Sequence, residues 1–241
     1  MEAAALSDAA FPEFGKKVVL FCHITSRVST DKHQDLLQKK GGRGFPHLTF
    51  MDADGEVLSG PRDRSVKGFE ATLSSLAEWS ALKKKADSGD KAAKAKLVIV
   101  ELELGKSTLA DAQAAIKEQG PLPKDLQARF DDAALNAEVS ELMKGATNAE
   151  EASEVGRKFA EMKRQKRVPK GDVAVRFHSM IMQAADKDGD AKGYEAALGD
   201  LKKAAGDNPA YKAFIDRSEK RLAELKSGKP ATPPGGAKKS D

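Results

Sequence analysis

The sequence predicts an α+β domain with the order β-α-β-β-α, followed by an all-α domain of helical hairpins and a disordered end. Three observations predict it. Aromatic residues gather early: Phe11, Phe14, Phe21, Phe45, Phe50, Phe69 and Trp79 lie in the first third of the 241 residues. Phe130, Phe159, Phe177, Tyr194, Tyr211 and Phe214 are spread over the rest, which is dominated by Ala, Lys, Glu, Asp and Leu. Aromatic and β-branched residues suit pleated surfaces, whereas Ala, Leu and Lys suit helices. Lastly, 227–241 hold three Pro and three Gly and no apolar side chain larger than Ala and Pro, a composition that cannot build a core. The domains expected are 1–88, 89–227 and a tail at 228–241.

In the first region, 17–24 (KVVLFCHI) is a short apolar run with β-branched residues and reads as a buried strand. A helix follows, capped at Thr30 or Asp31 and closed by Gly41 and Gly42, with Leu36 and Leu37 inward. Residues 45–51 (FPHLTFM) read as a second strand. Asp52, Ala53, Asp54 and Gly55 make a tight turn, since Asx side chains bond the backbone and Gly accepts positive φ. Residues 56–58 return as the other arm of a hairpin. After Gly60 and Pro61, Phe69, Leu73, Leu76 and Trp79 follow helical spacing, giving a helix from about Ser65 into Lys83, Lys84 and Lys85.

At 44–57 (GFPHLTFMDADGEV) the chain resembles the thioredoxin-like family, with its Gly-x-Pro strand entry, hairpin turn and return strand. The resemblance covers 16–78 and implies a compact thioredoxin-like domain with a cis peptide before Pro46. Two features depart from the family. Thr25, Ser26, Arg27, Val28 and Ser29 stand where it places Cys-x-x-Cys, with Ser26 and Ser29 at the thiol positions. A serine has no thiolate to form a mixed disulfide. Only 17 positions separate Ser29 from Pro46, enough for one helix and a turn, so a middle strand and its helix are expected to be missing.

The second region repeats weakly. Gly105, Gly145 and Gly189 are 40 and 44 residues apart, and each is followed seven residues later by an alanine: Ala112, Ala152 and Ala196. The last unit, 193–205 (GYEAALGDLKKAA) then Asn208, Pro209 and Tyr211, resembles a tetratricopeptide-type helix pair. Small residues where helices cross and Pro at the breaks predict antiparallel helix hairpins, irregular rather than a strict array.

Composition bounds the function. Forty-one Lys and Arg against 37 Asp and Glu leave +4, too little to argue for nucleic acid or an anionic membrane. No run approaches the roughly 20 apolar residues of a membrane helix. A single cysteine excludes an internal disulfide and any multi-thiolate metal site. Cys22 sits in the predicted strand and reads as a buried core cysteine; as a lone nucleophile it would be poorly served by His23, which a strand points to the opposite face. His23, His33 and His47 are three of four histidines, and their convergence near the proline corner would suit copper or zinc. The cluster 163–167 (KRQKR) with Lys170 reads as a solvated helix end before Pro169, where cations favour the helix dipole; without interleaved aromatics it is no base-stacking surface. Residues 186–190 (DKDGD) resemble the start of a calcium loop, but Gly189 is misplaced and Ala197 stands where Glu is needed, so a capped turn is the better account.

The functional expectation is a redox-inactive thioredoxin-like adaptor that binds a protein or peptide through Thr25, Ser26, Arg27, Ser29, Phe45 and Pro46, with the helical domain as a second surface. The alternatives are a thiol oxidoreductase using Cys22 and a copper- or zinc-binding protein using His23, His33 and His47. Neither nucleic acid nor membrane is an expected partner, and the oligomeric state is open. Residues 1–10 lack the basic start and apolar core of a signal peptide, so a cytoplasmic location is expected, with a periplasmic or secreted mature form as the alternative.

Overall fold

A computed structural model of the chain describes residues 5–24, 32–61, 64–206 and 208–228. Among them are ten α-helices and one two-stranded sheet. In order these are α1 (Phe11–Gly15), α2 (Leu36–Lys39), β1 (Phe50–Met51), β2 (Val57–Ser59), α3 (Val66–Asp87), α4 (Lys91–Leu104), α5 (Leu109–Gln119), α6 (Lys124–Gly145), α7 (Ala149–Arg164), α8 (Asp172–Lys187), α9 (Ala191–Ala205) and α10 (Lys212–Lys226). The protein is predominantly helical. The expected thioredoxin-like β-α-β-β-α domain is not formed, and with it falls the mixed α+β fold class.

The reason lies in backbone partners. The run 17–24 has the composition of a strand but joins no ladder among the described residues, where β1 and β2 pair with each other. Outside any ladder, the run packs Val18 against the core but leaves its other large apolar side chains outward, with Val19 97% and Ile24 80% exposed. A strand is stable only where its N–H and C=O groups are answered across a ladder. The helix expected up to Lys40 is a single turn, α2, and the residues 25–31 that would have begun it lie outside the described residues. The hairpin itself is present. Asp52 Oδ1 accepts from the Asp54 and Glu56 N–H groups at 3.0 and 2.8 Å, Gly55 takes φ +81°, and Phe50 pairs with Ser59 and Met51 with Val57 across a bulge. The Phe45–Pro46 peptide is cis.

The described chain divides into two compact units, Met1–Gln127 and Ala128–Asp241, the division falling in the first turn of α6. In the first unit a small core of Phe14, Val66 and Phe69 takes in Phe11, Val18, Leu48, Phe50 and Leu73, with Phe14 and Phe69 rings 5.5 Å apart. The composition change near residue 88 falls inside this unit, where α3 packs along α4 on either side of it. Ser65 caps α3, Asp90 caps α4 and Thr108 caps α5, each side chain accepting a first-turn N–H.

In the second unit α8 packs between α7 and α9, and α10 packs on α9. Helix α8 is apolar on most of its circumference, burying Val173, Ala174, Val175, Phe177, Ile181, Met182, Ala184 and Ala185, which is what a central helix requires. Phe159 of α7 stacks on Phe177 of α8 at 4.7 Å between centroids, and Leu198 and Leu201 of α9 complete the core. The sequence 186–190 is a turn with a cap, as expected: Asp186 binds Arg221, Asp188 binds Arg157, and Asp190 accepts from the Gly193 N–H at 2.9 Å. Residues 229–241, expected to be a disordered tail, lie outside the described residues.

Candidate functional site

The residues that the sequence singles out around the proline corner separate in space and in exposure. Thr25, Ser26, Arg27 and Ser29 lie outside the described residues. Cys22 is exposed, which overturns its reading as a core cysteine; the strand that would have buried it is absent. Phe45 is 70% exposed, and Pro46 is exposed beside it. His33 is exposed with φ +60°, and the exposed His47 donates from Nε2 to the Lys40 carbonyl at 3.0 Å. His23 is half-buried and its Nε2 has no hydrogen-bond partner. Among the described residues no three His, Cys, Asp or Glu side chains come together as a ligand set.

A second arrangement belongs to the helical unit. The end of α7, the 165–171 loop, the start of α8 and the last turns of α9 border an open groove of about 470 Å³. Val168, Pro169, Ala174 and Ala204 form its apolar wall, and Lys163, Lys170 and Lys203 its cationic edge. His178 and Asp200 complete the lining. Local sequence explains the loop: α7 ends in Lys163 and Arg164, Lys166 takes φ +60°, and Pro169 prevents α7 from continuing. Gly171, at φ +63°, stands at the α8 N-cap, where it has no side chain to cap the helix, and Asp172 follows it in the first turn.

His178 is the unusual member. It is 4% exposed, edge-on to Phe177, and its Nδ1 has no hydrogen-bond partner. Burial pushes the imidazole below the usual histidine range; Asp200 pulls it up, and Lys163 pushes it down. The ring is therefore neutral near pH 7. Burial pushes the Asp200 carboxyl up, but the Lys163 hydrogen bond and charge, with Lys203, outweigh it and hold the group below its ordinary value. Lys163 Nζ lies 2.5 Å from Asp200 Oδ2, Lys203 Nζ 3.4 Å from Asp200 Oδ1, and Lys170 Nζ 2.5 Å from Asp132 Oδ2. Arg167 pairs outward with Glu138 and Arg164 with Glu161. The basic cluster is thus the end of α7, as expected, yet Lys163 and Lys170 also edge a groove.

Sequence reasoning passed over His178, Asp200 and Lys203. One signal was legible: His178 shares the spacing of Ala174, Ile181 and Met182, the inward stripe of an apolar helix. A histidine in such a stripe is buried, whatever its role. No family model, curated protein or solved structure matches the chain. Neither the thioredoxin-like nor the tetratricopeptide-type resemblance is therefore supported. No helix among the described residues is long and apolar enough to cross a membrane.

Proposed function

We propose that this protein works by binding another protein, and that the apolar run after α1 is the docking segment. The observation that carries this reading is exposure: Val19, Leu20, Phe21 and Ile24 are all exposed within one six-residue stretch. Single exposed apolar residues are ordinary on a surface, whereas a consecutive group marks an interaction site. Each large side chain left in water forgoes roughly 1.5–3 kcal/mol of burial free energy that a partner would supply. Backbone along the same stretch, which joins no ladder among the described residues, gives an extended partner chain N–H and C=O groups to bond. The remaining helical elements then act as a scaffold that holds the segment out.

The test is affinity capture with the full chain and with Phe21→Ser/Ile24→Ser, each checked by circular dichroism. A partner held by the parent chain and lost by the double variant, with helicity unchanged, is the expected result. Identical captured proteins from both chains would remove the segment from consideration.

A further inference from the structure

We propose that the end of α7 and the 165–171 loop form an acid-sensitive latch, closed while the His178 ring is neutral and released when the ring takes up a proton. The inference concerns the helical unit alone and does not depend on the docking segment.

The ring's placement comes first. His178 is 4% exposed, sits edge-on to Phe177 at 5.3 Å, and has its Nδ1 shut away from water without a partner. In the neutral ring that nitrogen can keep a bare lone pair. The imidazolium carries an N–H on both ring nitrogens, so protonation puts a donor and a share of charge where there is neither acceptor nor water. A buried donor left unanswered is costly, and a charged one more so. The closed arrangement therefore disfavours the proton, and any opening that hydrates Nδ1 favours it.

Packing sets which side opens. The ring shares the groove wall with Val168, Pro169, Ala174 and Ala204. Ala174 lies one turn before His178 on the same helix and cannot part from it. Ala204 rides on α9, which Leu198 and Leu201 anchor in the core. Val168 and Pro169 belong to a loop whose polar ties to α6 lie near the surface: Arg167 to Glu138, and Lys170 to Asp132 and to Asn136 Oδ1. Such exposed pairs hold weakly. Lys166 at φ +60° and Gly171 at φ +63° flank the stretch, and each can absorb a change in backbone direction.

Charge points the same way. The charged groups that line the groove with His178 are Lys163 from α7, Lys170 from the loop, and Asp200 and Lys203 from α9. Lys163 Nζ lies 2.5 Å from Asp200 Oδ2, which ties the end of α7 to α9. An imidazolium repels Lys163 and attracts Asp200; the two act on the ring's proton affinity in those senses, while burial is the largest influence and lowers it. Asp200 stays ionised, being held low. Protonation thus gives Asp200 a second cation to answer and gives Lys163 a like charge beside it. The α7 side lets go while α9 remains in place. Since the closed form binds the proton less readily than a hydrated open form, acid drives opening and neutral pH drives closure.

The experiment is hydrogen exchange of the full chain, read by mass spectrometry at pH 7.5 and 5.0 and corrected for intrinsic exchange rates, beside a ring titration of the ¹⁵N-histidine-labelled chain. The amides of Gln165, Lys166, Arg167 and Lys170 are hydrogen-bonded in the closed form and are the reporters. Their protection should fall about tenfold or more at pH 5.0, with little change in α9 or α4. His178→Gln and His178→Phe should lose the response, and the better-folded of the two decides. Lys163→Met should weaken it and raise the pH at which the ring titrates. Equal loop protection at both pH values overturns the proposal, and so does a response that survives in the His178 variants. Protection lost evenly from α7 to α10 would mean that acid destabilises the whole unit, with no latch. A ring that titrates while the loop stays protected would show that the imidazolium is accommodated in place, which equally defeats it.

Discussion

At Gly156 the backbone of α7 lies against α8, and a Cβ placed there would stand 2.2 Å from the Met180 carbonyl oxygen and 2.8 Å from Ala184 Cβ. Both neighbours belong to a packed helix, so Gly156→Ala must push α7 and α8 apart, costing about 1–3 kcal/mol as overpacking does. Gly199 on α9 has nothing within 4 Å of the same position and is exposed. There the added methyl relieves glycine's poor helix propensity, so Gly199→Ala should gain up to about 1 kcal/mol. Urea unfolding of the two variants should move in opposite directions; an unchanged or raised midpoint for Gly156→Ala would refute the close approach of α7 and α8, and a lowered one for Gly199→Ala the open space on α9. His178 sets a pH dependence. Its imidazole is held below the roughly 6.5 of an unfolded histidine, so the folded state favours the neutral ring. That contribution is complete above about pH 6.5 and is lost as pH falls toward the folded value. Asp200 lines the same groove and, being held low by Lys163, keeps its charge over this window. Melting temperature should therefore drop between pH 7 and 5.5 in the parent chain and less steeply in His178→Gln. Parallel curves would show that His178 is not the group responsible.

Among elements, α7 illustrates how local sequence starts a helix. Asn148 Oδ1 accepts the Glu151 N–H at 2.9 Å, and Glu151 reaches back to accept from both the Thr147 N–H and hydroxyl at 2.7 Å. The first bond satisfies a first-turn donor that has no partner inside the helix, and the second ties the residue before the cap to the same turn. Asn148→Ala should cost about 1 kcal/mol in denaturant unfolding, and Asn148→Asp should restore most of it; an unchanged midpoint for Asn148→Ala would mean the cap is idle. Helix starts were legible from the glycines: Gly105, Gly145 and Gly189 each precede a helix, and the structure supplies the caps Thr108, Asn148 and Asp190. Strand existence was not. The hairpin at 50–59 was readable because its turn chemistry is local, residing in Asp52 and Gly55. Residues 17–24 looked equally strand-like, but a strand's stability sits in a neighbour that the segment itself does not specify.

For the whole molecule, the division at Gln127 and Ala128 makes a direct prediction. The large core runs from Leu135 to Leu225 and draws on no residue of the first unit. A fragment of residues 124–228, which keeps the first turn of α6, should give a helical circular dichroism spectrum and a cooperative melt. A random-coil spectrum would show that the second unit needs the first. Tyr194 and Arg221 help close that core: Arg221 donates to Asp186 from Nη2 at 2.8 Å and to Glu224 from Nη1 at 2.9 Å, joining α10 to α8 with only 15% of its side chain exposed.

Sequence by itself determined the helical second region, its glycine turns, the hairpin of the first region, and the basic end of α7. All of these are written in neighbours within a few residues: a glycine and its turn, an Asx side chain and its turn, an apolar stripe repeating every three or four positions. Only the tertiary structure decided that, among the described residues, 17–24 joins no ladder, Cys22 stands in solvent, and no sheet larger than β1 and β2 forms. It also decided that Lys163, Lys170, His178, Asp200 and Lys203 share one groove. Those five span 41 positions, and each read alone is a helix end, a core residue or a surface charge. Their meeting depends on α8 lying between α7 and α9, an arrangement enforced by burial of Phe159, Phe177 and Leu201, not by any property of the five themselves.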